Sequence, residues 1–301
     1  MRRSPARWVA PCLIAVAVPF ATAGPAAADP DQAPVQRYVA LGDSYAAGPL
    51  VPIPTGEPAG CLRSDHNYPS VVAQELGVGD FRDVSCSGAT TEDITGPQSV
   101  PLGENPPQVD ALTPDTQLVT ITIGGNDIGF ADIVQECATR SPLKPTGSAC
   151  KDHYTAGGTD QLTQRIDGAA PEVAAALDAI DRRSPDARVL LVGYPAILPD
   201  EGPGCFPVVP FSPGDVAYLR GVEKDLNAML EAQAAEAGIE YVDTYTPSIG
   251  HDACQLPGRK WVEGLVPTAP AAPVHPNELG MREIGQVVAD AVGGTSSRAA
   301  A

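Results

Sequence analysis

The sequence predicts a single α/β domain in which helices cover both faces of one parallel sheet, on three observations. Short runs of β-branched and aliphatic residues alternate with longer amphipathic segments; three of those runs end on glycine, at Gly42, Gly124 and Gly193; and no linker divides the chain. At 301 residues the chain is long enough for one substantial core. Strands alternating with helices call for right-handed crossovers. In such sheets the functional residues gather beyond the carboxyl ends of the strands, which says where to look for chemistry.

The first stretch is set aside from the fold. Arg2, Arg3 and Arg7 precede an apolar run from about residue 8 to residue 23, and small residues follow as far as Ala28. This is the pattern of a secretory signal peptide over residues 1–28, cleaved after Ala28, with Ala23 as the second choice. Pro11, Pro19 and the shortness of the run argue against a retained membrane anchor. Losing three arginines and no acids takes the formal charge from −18 to −21. So acidic a surface repels polyphosphates and anionic membranes, and disfavours nucleic acid as a partner.

The elements then follow in order. Residues 37–41 are the first strand, stopping at Gly42. Val71, Val72 and Leu76 have helical spacing, and Gly77 closes a helix over 68–76. A short second strand covers 81–86. Prolines and glycines without a period make 95–114 a loop. Residues 117–123, dense in β-branched side chains, form the third strand, and a helix over about 128–139 comes next. The chain is irregular from 141 to 158. Leu162, Ile166, Ala170, Val173, Leu177 and Ile180 then mark a long helix over 161–183, with Pro171 as a kink or break. A fourth strand over 187–193, a helix over 215–236 ending at Gly238, a fifth strand over 239–243 and a closing helix over 278–292 complete the domain (29–301).

Of seven cysteines, Cys12 falls in the signal segment. Six remain, an even number that in an exported chain favours three disulfides. They lie as three separated pairs along the sequence, so the expected bridges are Cys61–Cys86, Cys137–Cys150 and Cys205–Cys254. Zinc is the weaker reading, because no Cys-x-x-Cys pair or nearby histidine cluster occurs.

Each strand end carries polar residues: Gly42-Asp43-Ser44 with Gly48 after the first strand, residues 87–91 after the second, and Gly124-Gly125-Asn126-Asp127 after the third. A fourth block, Val274-His275-Pro276-Asn277, precedes the last helix. A serine hydroxyl is a poor nucleophile until a neighbouring base takes its proton, and a histidine suits that task near neutral pH. Ser44 and His275 could form the pair. A tetrahedral intermediate also needs donors aimed at its oxyanion. The backbone N–H groups of Ser44 and Gly88 and the amide of Asn126 fit that role.

Four such blocks in this order resemble the SGNH (GDSL-type) hydrolases, whose namesake residues match here as Ser44, Gly88, Asn126 and His275. The closest likeness is to the secreted actinobacterial lipases and phospholipases of that family, which also form three disulfides in chain order. The resemblance covers roughly residues 37 to 292. It implies a flavodoxin-like three-layer sandwich around a five-stranded parallel sheet, acyl-enzyme hydrolysis of carboxylic, lipid-type esters, and no cofactor or metal. A secreted monomer with no stable membrane anchor is the corresponding expectation. One departure stands out: many relatives have an aspartate three residues before the histidine, where this chain has Ala272. A Ser–His dyad is therefore expected, with the carbonyl of Ala272 or Pro273 orienting the imidazole.

Other polar residues receive quieter roles. Asp43 and Asp127 brace their turns, Asp243 and Asp252 are structural or solvated acids, and His66, His153 and His251 are surface residues. Trp261 and residues 262–273 line an acyl pocket or pack on the core. Two other functions remain open on sequence: a carbohydrate deacetylase of the same fold, and a non-catalytic secreted binding protein.

Overall fold

The computed structural model describes residues 34–294; the signal segment assigned to residues 1–28 lies outside them. Five parallel strands form the central sheet: β1 (Arg37–Gly42), β2 (Asp80–Asp83), β5 (Leu118–Thr122), β6 (Arg188–Val192) and β7 (Glu240–Val242), in the spatial order β2-β1-β5-β6-β7. Alternation along β1 shows how the layers arise. Val39 and Leu41 join Val119, Ile121, Val189 and Leu191 in a core on one face, while Tyr38 and Ala40 join Leu118, Leu190 and Val192 on the other.

Helices α6 (Gln161–Arg183) and α7 (Pro213–Ala237) cover the first face, and α2 (Tyr68–Glu75) and α9 (Glu278–Val292) the second. The remaining helices are short: α1 (Ser44–Ala47), α3 (Glu92–Thr95), α4 (Phe130–Arg140), α5 (Ala149–Tyr154) and α8 (Tyr245–Ser248). Strand order reverses between β1 and β5, so a crevice opens beyond their carboxyl ends. Disulfides join Cys61 to Cys86, Cys137 to Cys150 and Cys205 to Cys254.

Several elements differ from the sequence reading. The loop over 95–114 contains a two-stranded antiparallel ribbon, β3 (Gln98–Val100) and β4 (Gly103–Asn105). Pro97, Pro101, Pro106 and Pro107 interrupt every periodic pattern there and hide it. Pro171 neither ends nor divides α6. Its side chain and that of Asp167 one turn earlier are exposed, so the carbonyl that loses its partner faces water. α4 starts at Phe130 because Gly129 is left-handed, with φ +78°. The stretch 141–158 is not irregular throughout. Its helix α5 is docked on the first turn of α7, where Asp215 accepts from the N–H groups of Cys150 (3.2 Å) and Lys151 (3.0 Å).

Candidate active site

The position of Ser44 follows from the glycine two residues before it. Gly42 has φ +132°, and a Cβ there would stand 2.5 Å from the carbonyl oxygen of Thr122. Without one, the chain turns tightly against β5, where the Asp43 N–H donates to Thr122 O (2.9 Å). Gln108 clamps the same glycine, accepting from its N–H (2.7 Å) and donating to its carbonyl (3.0 Å). Asp43 then caps α1 by accepting from Tyr45 N–H (2.8 Å), and Ser44 opens that helix almost buried.

His275 reaches the serine from the far end of the chain. Its Nε2 lies 2.7 Å from Ser44 Oγ, and its Nδ1 lies 2.8 Å from the carbonyl oxygen of Pro273. A carbonyl only accepts, so Nδ1 carries the proton and the neutral ring turns its Nε2 lone pair toward the serine hydroxyl. Of the two carbonyls open in sequence, Pro273 is the partner. Ala272 O instead accepts the backbone N–H of His275 (3.2 Å). Burial pushes the His275 pKa below the ordinary histidine value, and the Pro273 hydrogen bond offsets it only in part.

The loop carrying His275 is fixed on several sides. Ala272 N–H donates to Pro49 O (2.9 Å), Glu263 N–H to His275 O (2.9 Å), and the Tyr45 hydroxyl to Val274 O (2.7 Å). The Tyr45 ring also lies 5.0 Å from the imidazole. Behind the loop, buried Glu263 meets buried Lys260 Nζ at 3.0 Å and accepts from Asn277 Nδ2 (2.8 Å) and Thr268 N–H (2.7 Å). Burial alone would raise the Glu263 pKa. The hydrogen bonds from Thr268 and Asn277, with the Lys260 ammonium, outweigh it and leave the carboxyl below its usual range.

The other blocks converge on the same edge. Cys86 N–H donates to Gly42 O (2.9 Å), bringing the turn that holds Gly88 (φ +81°) beside the nucleophile turn. Asn126 Nδ2 donates to Ala89 O (2.8 Å), joining that turn to the one after β5. Asp127 strengthens the joint by accepting from Thr91 N–H (2.9 Å) and Thr91 Oγ1 (2.6 Å). Among the described residues, the N–H groups of Ser44 and Gly88 have no acceptor, so both are free to donate to a bound oxygen.

Tyr194 was not singled out by sequence, yet it couples two of these turns. Its hydroxyl donates to Asp43 Oδ2 (2.6 Å) and accepts from Gly125 N–H (2.8 Å). Gly125 permits this closeness, since a Cβ there would lie 2.9 Å from the same oxygen. Burial raises the pKa of Asp43 to about 7, against the opposing hydrogen bonds from Tyr194 and Tyr45. The other histidines and acids stay away from the chemistry. Asp243 accepts from Tyr245 N–H and Asp252 from Cys254 N–H, each at a turn. His66 pairs with Asp65, and His153 lies 3.7 Å from Glu136. His251 is partly exposed and stacks on Trp261 at 4.8 Å.

Next to Ser44 lies a cavity of about 70 Å³. Ile128, Phe130 and Ile133 wall it on one side, and Phe211, Leu219 and Leu226 contribute from the segment entering α7 and from that helix. Trp261 takes no part in it and belongs to the core, while Val274 reaches it from the histidine loop. Among the described residues, no cluster of three or more histidine, cysteine or acidic side chains could hold a metal, and no helix is long and apolar enough to cross a membrane.

Residues 40–283 match the family model described as the GDSL-like lipase/acylhydrolase family. The chain belongs to that family. This GDSL-like acylhydrolase is 41% identical over 273 residues to Lipase 2 of Streptomyces coelicolor, with 88% of this chain and 89% of that protein covered. Among solved structures it is similar to phospholipase A1 from Streptomyces albidoflavus, with TM-score 0.71 and 25% identity over 86% of this chain and 99% of that one. The extracellular lipase of Streptomyces rimosus gives TM-score 0.69 and 29% identity, covering 86% of this chain and 99% of the other. The acylhydrolase is thus a carboxylic ester hydrolase of the SGNH type, built on the α/β fold with a five-stranded parallel sheet.

Proposed function

We propose that the protein is a secreted, monomeric hydrolase of lipid-type esters that works through a Ser44–His275 dyad and an acyl-enzyme. The observation that carries this reading is the chain of contacts from Ser44 Oγ to His275 Nε2 and from His275 Nδ1 to Pro273 O. As Ser44 Oγ attacks the ester carbonyl carbon, its proton passes to Nε2. The imidazolium so formed keeps its Nδ1–H on the Pro273 carbonyl, which fixes the ring where an aspartate otherwise would. The negative charge growing on the carbonyl oxygen is met by the N–H groups of Ser44 and Gly88 and by the Asn126 amide. Collapse of the intermediate expels the alcohol, which takes the proton from Nε2. Water then attacks the acyl-serine with the same imidazole as base, releasing the acid and restoring Ser44.

The apolar cavity beside Ser44 supports a hydrocarbon acyl group, in keeping with relatives named lipase and phospholipase A1. Three disulfides support an oxidising destination and, with it, removal of residues 1–28 on export. The test is hydrolysis of p-nitrophenyl esters from acetyl to palmitoyl by the mature protein, beside Ser44→Ala and His275→Ala. Turnover by the wild type with near-complete loss in both variants is the expected result. A folded wild type inert across the whole series would overturn the reading.

A further inference from the structure

Among the polar groups that line the cavity beside Ser44, one has neither a step in the reaction nor a full set of partners. Away from the serine the cavity wall is aliphatic and aromatic, the hydroxyls of Tyr45 and Tyr194 being engaged with Val274 O and with Asp43 and Gly125. Glu223, on α7, is the exception. It lines the cavity, is 9% exposed, and sits close enough to Tyr45 that its charge helps to raise the phenol's pKa.

Its carboxyl is poorly satisfied. Among the described residues its hydrogen-bond partner is the Ile197 N–H, shared by its two oxygens at 3.1 and 3.3 Å. Lys224 forms its ion pair with Asp200 instead. Burial drives the Glu223 pKa well above the usual carboxylate range; the Ile197 N–H and Lys224 oppose this, and Asp252 adds to it. One N–H shared between two carboxyl oxygens leaves hydrogen-bonding capacity on the cavity side that no described residue meets. A saturated acyl chain lying against it would strip away any water and leave that capacity unmet. An acyl chain carrying a hydroxyl, which both donates and accepts, would supply the partner.

We propose that Glu223 is a specificity-determining residue that selects esters whose acyl chain bears a hydroxyl group at the depth where the chain passes α7. Selection of this kind is sharper than any based on chain length. A pocket built around a hydrogen-bonding group discriminates strongly against a substrate that cannot pair with it, whereas one methylene more or less changes little.

The inference rests on the ester-hydrolase reading of Ser44 and His275, and the experiment separates the two. kcat/KM is measured for matched pairs of p-nitrophenyl esters, plain alkanoyl against hydroxyalkanoyl of equal length, with the hydroxyl moved along the chain. Wild type, Glu223→Gln and Glu223→Leu are compared. The ratio within each enzyme cancels any loss of folded protein. For one hydroxyl position the wild type is expected to favour the hydroxyacyl ester about tenfold, the size of one neutral hydrogen bond made in a dry site. Glu223→Gln keeps an acceptor for Ile197 N–H and a donor for the substrate, and retains most of that preference; Glu223→Leu loses it. Hydrolysis with a wild-type ratio near one at every position, or with the same ratio in Glu223→Leu, overturns the selectivity and leaves the hydrolase standing. No hydrolysis of any ester by the folded wild type overturns both.

Discussion

Removing the hydroxyl of Tyr194 tests how the nucleophile turn and the turn after β5 are held together. Tyr194→Phe keeps the ring against Tyr45, whose centroid lies 5.0 Å away. It takes the acceptor from Gly125 N–H and one donor from Asp43 Oδ2, both buried in the wall of the cavity. An orphaned buried N–H costs about 1–3 kcal/mol, and a hydrogen bond to a charged acceptor contributes about 1.5–3 kcal/mol, so the variant should lose about 2.5–6 kcal/mol. The loss also depends on pH. The folded pKa of Asp43 is raised to about 7, so the stability tied to its protonated form is present below the unfolded carboxylate range and disappears as pH rises through the folded value. Taking away a donor raises that pKa further, so the variant must lose more stability than the wild type over the same rise. Urea unfolding at about pH 5 and about pH 8.5, disulfides intact, should give a ΔΔG larger by about 1 kcal/mol at the higher pH, with kcat reduced. A ΔΔG under about 0.5 kcal/mol at both, or a larger one at the acid end, would refute the coupling.

Three further predictions concern neighbouring parts of the site. Because the base must be neutral and the His275 pKa is lowered by burial, the acid limb of kcat/KM should fall below the ordinary histidine value near 6.5; a limb above about 7 in a pH–rate profile contradicts this. Glu263→Gln leaves the buried Lys260 charge unbalanced, so chemical denaturation should register a loss of about 3–5 kcal/mol together with weakened turnover, and an unchanged midpoint would show that the pair does not hold the histidine loop. Gly42→Ala places a Cβ 2.5 Å from Thr122 O in a backbone conformation foreign to alanine; circular dichroism should find it unfolded or destabilised by more than about 3 kcal/mol, and a wild-type melting curve would rule that out.

Sequence exposed the parts of this protein that repeat a local rule. The five sheet strands, the long helices and the motifs at strand ends were legible because periodicity and glycine punctuation are short-range signals, and the topology of a parallel sheet then brings those ends together. What stayed hidden depends on three-dimensional partners. The residues of the cavity, such as Ile133, Leu219 and Leu226, follow helical spacing and look like any core face. Tyr194 and Gln108 carry no motif; only the crossover that brings the end of β6 beside β5, one strand away from β1, and the turn that follows the ribbon, give them their roles. Nothing in the sequence marks Lys260 and Glu263 as a pair, and the fold buries both. Ala272 shows the reverse case: the lack of a side-chain partner for the histidine was visible in sequence, whereas the choice of Pro273 over Ala272 required the path of the loop.

That choice changes what can be lost by mutation. The group that orients His275 is a peptide carbonyl, present whatever side chain occupies position 273, so no single exchange there deletes it. Sensitivity moves from residue identity to loop shape: Val274 sits at φ +61°, and the Tyr45 hydroxyl and Pro49 carbonyl pin the residues around it. Surveys that look for an acid beside the histidine would mark this chain as defective. Loop insertions, or changes to Tyr45 in a helix more than two hundred positions earlier, are where its base would in fact be disarmed.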